Sequence, residues 1–236
     1  MMVQFGNFFF KYRNWIFIPL YLALFVPSIP LLTLEYRYWL LPLGLSITIA
    51  GQALRGATIG LAYIERGGRN KQVYASNLVT EGLFNHCRNP LYIGNILMLT
   101  GVGILANSWL YVLLFIPAFI FIYQAIVMAE EYFLRGKFGA EFDGYCQRTH
   151  RWLPDLRGLG KTFGGMRFNW KRYLVKEYNT LYVWLLGITL LLLYQYPELT
   201  GHDAALRNRL LFAIIPLLTL AYLSVRYLKK SGKMRG

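Results

Sequence analysis

Between Leu91 and Met128 the chain carries no Asp, Glu, Lys or Arg. A bilayer core about 30 Å thick is crossed by roughly 20 apolar residues in a helix. The run is long enough for two such crossings, and Ala106-Asn107-Ser108 near its middle has the composition of a tight turn. The sequence therefore predicts a membrane-embedded helical hairpin. Four further apolar runs extend from Trp15 to about Leu34, Tyr38 to about Ile64, Leu181 to Tyr196, and Leu210 to Leu228. With hydrophobic residues at 56% and charged residues at 15%, an ordinary soluble domain is excluded.

The expectation is an all-α membrane protein with about six transmembrane helices, one polytopic domain over 1–236. Its core would span about 38–154, followed by a basic linker over 155–178 and two further spans over 179–228. The first run contains Pro19, Pro27 and Pro30. A membrane helix tolerates these with a kink or a partner for the freed backbone groups, so a broken or partly interfacial segment is the alternative there.

Six spans put both termini and the second and fourth loops on one side. Of the 25 Lys and Arg residues, all but Arg37, Arg55, Arg207 and Arg209 fall on that side. Lys11, Arg13, Arg66, Arg69, Lys71 and Arg88 are among them. Basic residues favour the cytoplasmic face, so both termini are expected there. The net charge of +14 reads as topology and attraction to anionic lipid, with no nucleic acid partner. No cleaved leader is expected at the N-terminus. Cys87 and Cys146 both fall on the expected cytoplasmic side, and their spacing supports no metal site.

Two segments on that side carry unusual residue choices. The first, 78–94, contains Arg88-Asn89-Pro90. Asn-Pro reads as an N-cap with proline at the first helical position, and a helix N-terminus beside an arginine suits an anionic group. An ordinary helix start with an interfacial arginine fits the same residues. The second segment opens on Glu130-Glu131. These are solvated charges if the helix stops there. If it continues through Tyr132 and Phe133, they are mid-helix acceptors suited to a cation. Phe138, Phe142 and Tyr145 then follow at helical spacing, which predicts an amphipathic helix packed on something apolar and stopped near Pro154. Phe168, Trp170 and Tyr173 interleave with Arg167, Lys171, Arg172 and Lys176, which suits an interfacial helix.

Taken together and in this order, the two segments resemble the isoprenylcysteine carboxyl methyltransferase and phospholipid methyltransferase superfamily. The first motif is Leu78-Val79-Thr80, Gly82, Phe84, Arg88-Asn89-Pro90, Tyr92 and Gly94. The second is Glu130-Glu131, Phe138-Gly139, Phe142, Tyr145 and Arg151-Trp152-Leu153-Pro154. The resemblance implies a cytoplasmic S-adenosylmethionine site formed around the hairpin, with a lipophilic methyl acceptor arriving from the membrane. It places Arg88, Asn89, Tyr92, Gly94, Glu130 and Glu131 along the cofactor pocket. Gly82 would make a close backbone turn, and Tyr145 and Arg151 would close the site. Arg88 and Glu131 become the expected catalytic pair. Prenylcysteine enzymes tend to carry histidines at the positions of Asn89 and Ser76. Their absence turns the expectation towards a phospholipid amine or another lipid-like acceptor. Prenylcysteine carboxyl methylation, an NADPH-dependent sterol-type reductase, and a transporter using Gln52 and Arg55 are the alternatives.

Overall fold

The computed structural model describes every residue except 34, 63–67, 69–71 and 235–236. The expected end of the second span near Ile64, and Arg66, Arg69 and Lys71, lie outside the described residues. Eight α-helices are described: α1 (Met2–Leu22), α2 (Leu40–Leu61), α3 (Pro90–Leu105), α4 (Ile116–Phe138), α5 (Ala140–Arg148), α6 (Leu159–Gly165), α7 (Trp170–Gln195) and α8 (Ala204–Lys230). They fall into two compact units, Met1–Phe168 and Asn169–Gly236. The all-helical class is as expected. Among the described residues, three helical stretches are long and apolar enough to cross a membrane: Tyr111–Phe138, Trp170–Gln195 and Ala204–Lys230. The apolar α3 is shorter.

The expected first span is displaced. The helix is Met2–Leu22, followed by a 3-10 turn at Ala23–Phe25, so Lys11 and Arg13 lie inside it instead of ahead of it. Pro27 and Pro30 explain the early stop, because each lacks an N–H and disfavours a helical residue before it. The non-helical chain that follows is satisfied by the α3–α4 turn. Leu31 N–H donates to Asn107 O at 3.2 Å, and Leu32 N–H donates to Asn107 Oδ1 at 2.9 Å.

That turn behaves as its composition predicts. Asn107 takes φ +51°, a left-handed conformation that asparagine tolerates better than most residues. Ser108 Oγ accepts from Tyr111 N–H at 3.1 Å. A π-helical turn over Tyr111–Phe115 then leads into α4.

In the first unit, α2 and α3 run antiparallel with their backbones in contact. A Cβ added at Gly44 would lie 2.8 Å from Gly101 O, and one at Gly51 would lie 2.6 Å from Gly94 O and 2.7 Å from Met98 N. Gly44 and Gly51, like Gly94 and Gly101, are seven residues apart on their helices. Small residues on one helix face allow this approach, and dispersion between close backbones holds it.

Helix α1 packs antiparallel on α4 by a different device. Gly6 admits the Ala125 carbonyl and the Ala129 methyl, while Phe17 meets Phe119 and Tyr123 with ring centroids 5.2 and 5.6 Å apart. Offset and edge contacts of this kind add roughly 0.5–1.5 kcal/mol per pair. The start of α1, the ends of α2 and α4, and the start of α3 therefore share one end of this unit.

The second unit is an antiparallel hairpin. The side chain of Asn169 caps α7 by accepting from Arg172 N–H, and Asp203 caps α8 by accepting from Ala205 N–H. Pro197 stops α7 and opens a 3-10 turn over Pro197–Thr200. The rings of Tyr182 and Tyr222 meet at a tilt with centroids 4.8 Å apart, and Lys229 Nζ donates to Val175 O at 3.2 Å. The basic and aromatic stretch expected as a separate interfacial helix is instead mostly the first turns of α7. Within 155–178 the chain forms α6, passes the boundary between the units and begins α7.

Candidate functional site

The loop before α3 and the chain after α5 are joined along their backbones at the shared helix end of the first unit. Arg88 N–H donates to His150 O, and Asp155 N–H donates to His86 O, both at 2.9 Å. Asn89 Nδ2 and the Cys87 thiol both donate to Arg151 O, at 3.1 and 3.3 Å. Asn89 occupies the N-cap position before Pro90, but its side chain bridges to the second motif and does not cap the helix. The Tyr145 hydroxyl donates to Phe84 O at 2.6 Å, and burial raises that phenol's pKa, which keeps it a donor. Gly82 opens the 3-10 turn Gly82–Asn85 with φ +61°, where a side chain would be strained. Tyr145→Phe is expected to lower stability by about 1 kcal/mol. Thermal unfolding in detergent measures it.

Helix α4 continues to Phe138, so Glu130 and Glu131 are mid-helix residues. Phe142 and Tyr145 of the short α5 are buried beneath the site, as the aromatic spacing anticipates. Gly139, at φ +50°, separates the two helices.

The two adjacent carboxylates have different partners. Glu131 is gripped by the Arg151 fork, with Nε donating at 3.0 Å and Nη2 at 2.6 Å. Arg88 Nε lies 3.3 Å from the same carboxylate as an ion pair but is not aligned as a hydrogen-bond donor to it. Two guanidiniums thus share one carboxylate, and the group keeps an excess positive charge. Its Glu131 side chain is 8% exposed. Glu130 accepts from the Tyr92 hydroxyl at 2.9 Å, and Arg13 of α1 is within electrostatic reach of it. The arrangement can hold an anion at the arginines and a cation or hydroxyl group at Glu130.

Gly94 lies on the face of α3 turned to α2, where an added Cβ would be 2.5 Å from Arg55 Cγ. Its missing side chain is accounted for by helix packing. The other expected site residues, Arg88, Asn89, Tyr92, Glu130, Glu131, Tyr145 and Arg151, come together, with Gly82 in the turn leading to them.

Sequence reading missed several neighbours. Arg13 was hidden because its helix was placed too late in the chain. Arg55 Nη1 donates to Asn95 Oδ1 across α2 and α3, and no local pattern pairs those residues. His86 was passed over although it is 4% exposed. Its Nδ1 donates to Asp155 O at 2.6 Å, and its Nε2 lies 2.8 Å from Thr162 Oγ1.

An apolar cavity of about 400 Å³ adjoins the polar group. Ala53, Leu54 and Ala57 of α2, Pro90 and Ile93 of α3, and Leu159 and Phe163 of α6 contribute to its wall, along with His86 and Cys87. The segment 86–93 therefore has two faces. His86, Cys87, Pro90 and Ile93 line the cavity, while Arg88, Asn89 and Tyr92 bond towards α4 and the chain after α5.

Residues 44–141 match the phospholipid methyltransferase family. The chain is 33% identical over 120 residues to the cobalt-zinc-cadmium resistance protein CzcN of Cupriavidus metallidurans, covering 50% of this chain and 52% of that protein. It is 34% identical over 82 residues to the nickel-cobalt-cadmium resistance protein NccN of Alcaligenes xylosoxydans xylosoxydans, covering 35% and 38%. A probable protein-S-isoprenylcysteine O-methyltransferase of Oryza sativa is 27% identical over 125 residues, covering 50% and 63%. The chain thus spans about half the length, or less, of the first two relatives. The family match runs from α2 through the hairpin to the carboxylates of α4, which is the scaffold carrying most of the polar cluster. The likeness to the phospholipid methyltransferase family thus covers residues 44–141, and the likeness to the isoprenylcysteine O-methyltransferase relative covers half of the chain.

Proposed function

We propose that the chain is an integral membrane methyltransferase that uses S-adenosylmethionine and acts on a lipid-like acceptor. One observation carries this reading: both motifs meet in a cluster with two guanidiniums around Glu131 and a separate carboxylate at Glu130. The donor set suits the cofactor's chemistry. The excess positive charge of Arg88 and Arg151 suits its carboxylate, and Glu130 with Tyr92 suits its ammonium or ribose hydroxyls. Bound there, S-adenosylmethionine supplies a methyl group on a positively charged sulfur, open to displacement by a nucleophile.

The chain's own contribution is alignment and exclusion of water. Glu131 holds the two guanidiniums in place, so the acceptor role towards the cofactor falls to Glu130. Arg88 orients the anionic end, and Asn89, through the Arg151 carbonyl, keeps the two motifs in register. Six spans with both termini and the site in the cytoplasm complete the proposal. The shared end formed by α1 to α4 supports it, because Arg88, Arg135, Lys137 and Arg151 gather there. The apolar residues that α8 exposes, including Phe212, Leu217 and Leu220, suit contact with lipid.

Calorimetry in detergent with S-adenosylhomocysteine and with NADPH tests the cofactor. Binding of the first and not the second is expected, and the reverse would make the chain a reductase. Mass spectrometry of lipids from membranes incubated with labelled S-adenosylmethionine identifies the acceptor. Tyr92→Phe is expected to weaken S-adenosylhomocysteine binding about fivefold, the effect of losing one hydrogen bond worth about 1 kcal/mol.

A further inference from the structure

We propose that α6 is a lid over the apolar cavity, that the His86–Thr162 contact is its latch, and that the cavity takes the uncharged hydrocarbon part of the acceptor. The proposal rests on the methyltransferase reading for the word acceptor, but its geometry stands apart from it.

Among the described residues, no charged side chain lines the cavity. Its two polar wall residues are already engaged: the Cys87 thiol donates to Arg151 O, and both ring nitrogens of His86 have partners. A headgroup amine or phosphate would be stripped of water there with nothing to replace it, a cost of several kcal/mol. A hydrocarbon chain meets no such cost. The cavity also lies on the opposite face of 86–93 from the arginine–glutamate group, so the reactive end of a ligand seated there has only this one segment to pass.

The outer wall is built unlike the rest. Leu156 and Phe163 line the cavity yet are 70% and 48% exposed. The helix that carries Phe163 is preceded by Gly158, at φ +74°, and ends on Gly164 and Gly165. No neighbouring atom lies within 4 Å of where a Cβ would be at any of the three. Glycines free of packing allow the backbone to turn. Against them stands the contact between Thr162 Oγ1 and His86 Nε2 at 2.8 Å. In the tautomer that gives Nδ1–H to the Asp155 carbonyl, Nε2 accepts the threonine hydroxyl proton. His86 is itself buried, so the latch is anchored on the fixed side and its moving part is on α6.

The chain's two cysteines provide a readout that needs no methyl transfer. Cys87 lines the cavity and is buried, while Cys146 lies on α5, outside the lining. In lipid nanodiscs, alkylation of each by N-phenylmaleimide is followed by peptide mass spectrometry. Thr162→Val removes the latch and Phe163→Ala removes an exposed part of the wall. Each is expected to raise the Cys87 rate, about fivefold for the loss of one hydrogen bond, with the Cys146 rate unchanged. Farnesol, an uncharged chain, should slow the Cys87 reaction, and glycerophosphocholine, a headgroup without a chain, should not.

Unchanged Cys87 rates in both variants would overturn the lid. Protection by glycerophosphocholine but not by farnesol would overturn the hydrocarbon assignment. Equal acceleration at both cysteines would mean general loosening and would also count against the lid. If these results hold while S-adenosylhomocysteine fails to bind, the lid stands and the methyltransferase reading falls.

Discussion

Glu131→Ala is expected to abolish S-adenosylhomocysteine binding and methyl transfer, and to cost the first unit about 3 kcal/mol of stability. The carboxylate is almost fully buried and faces Arg88 and Arg151. Removing it leaves two guanidiniums facing each other, one of them largely out of water. Loss of one member of a buried ion pair costs roughly 3–5 kcal/mol. The lower figure applies here because Arg151 keeps about a third of its side chain in solvent. The Arg151 backbone carbonyl also accepts from Asn89 and Cys87, so disturbing its side chain disturbs the junction between the motifs. Thermal unfolding in detergent reads the stability, and calorimetry reads the affinity. A Glu131→Ala chain with full affinity and full methylation would remove this residue from the site. Arg151→Lys is the companion: it keeps the charge but loses the two-pronged geometry, and should weaken affinity more than stability.

The second large effect is expected from Gly51→Leu, far from any charge. The new Cβ would stand 2.6 Å from Gly94 O and 2.7 Å from Met98 N, both backbone atoms that no rotamer change can move. α2 and α3 must then separate, and every close contact along their crossing weakens together. Overpacking usually costs about 1–3 kcal/mol, and a crossing built on backbone contact belongs at the upper end. Arg55 and Asn95 lie one turn from this point, and the polar end of α3 lies just beyond, so affinity should fall along with stability. Gly136→Ala, where an added Cβ meets nothing within 4 Å, is the control: affinity should be unchanged and stability should not fall. Limited proteolysis in nanodiscs distinguishes the two variants.

Much of the fold was legible because its signals are local. The uncharged run from Leu91 to Met128 and the Asn107 turn required only side-chain hydropathy and one permissive backbone position. The α1 boundary was harder. The prolines at 27 and 30 marked a break, but the helix before them contains Lys11 and Arg13, which read as loop. Of these, Arg13 is accommodated because it lies over the Phe10 ring at 4.5 Å and near Glu130. The partner that makes an arginine acceptable in that helix is more than a hundred residues away in the chain.

The same division runs through the site. The resemblance of the two motifs to a methyltransferase family singled out Arg88, Asn89, Tyr92, Glu130, Glu131, Tyr145 and Arg151, because residue identity in order is a property of the sequence. It did not distinguish the two glutamates, which are adjacent and chemically alike. A helix turns about 100° per residue, so one faces the arginines and the other faces Tyr92. Which carboxylate is occupied and which remains available is therefore decided by the rotation of α4 against its neighbours.

The α3–α4 helical hairpin was determined by the sequence itself, because a long run without charge, broken by one turn, leaves a chain few other solutions than two helices that satisfy their own backbones. The glycine-lined crossing, the split between Glu130 and Glu131, and the cavity under α6 were decided only in the tertiary structure. Each depends on which residues from distant segments meet, and on the shape of the space left between them.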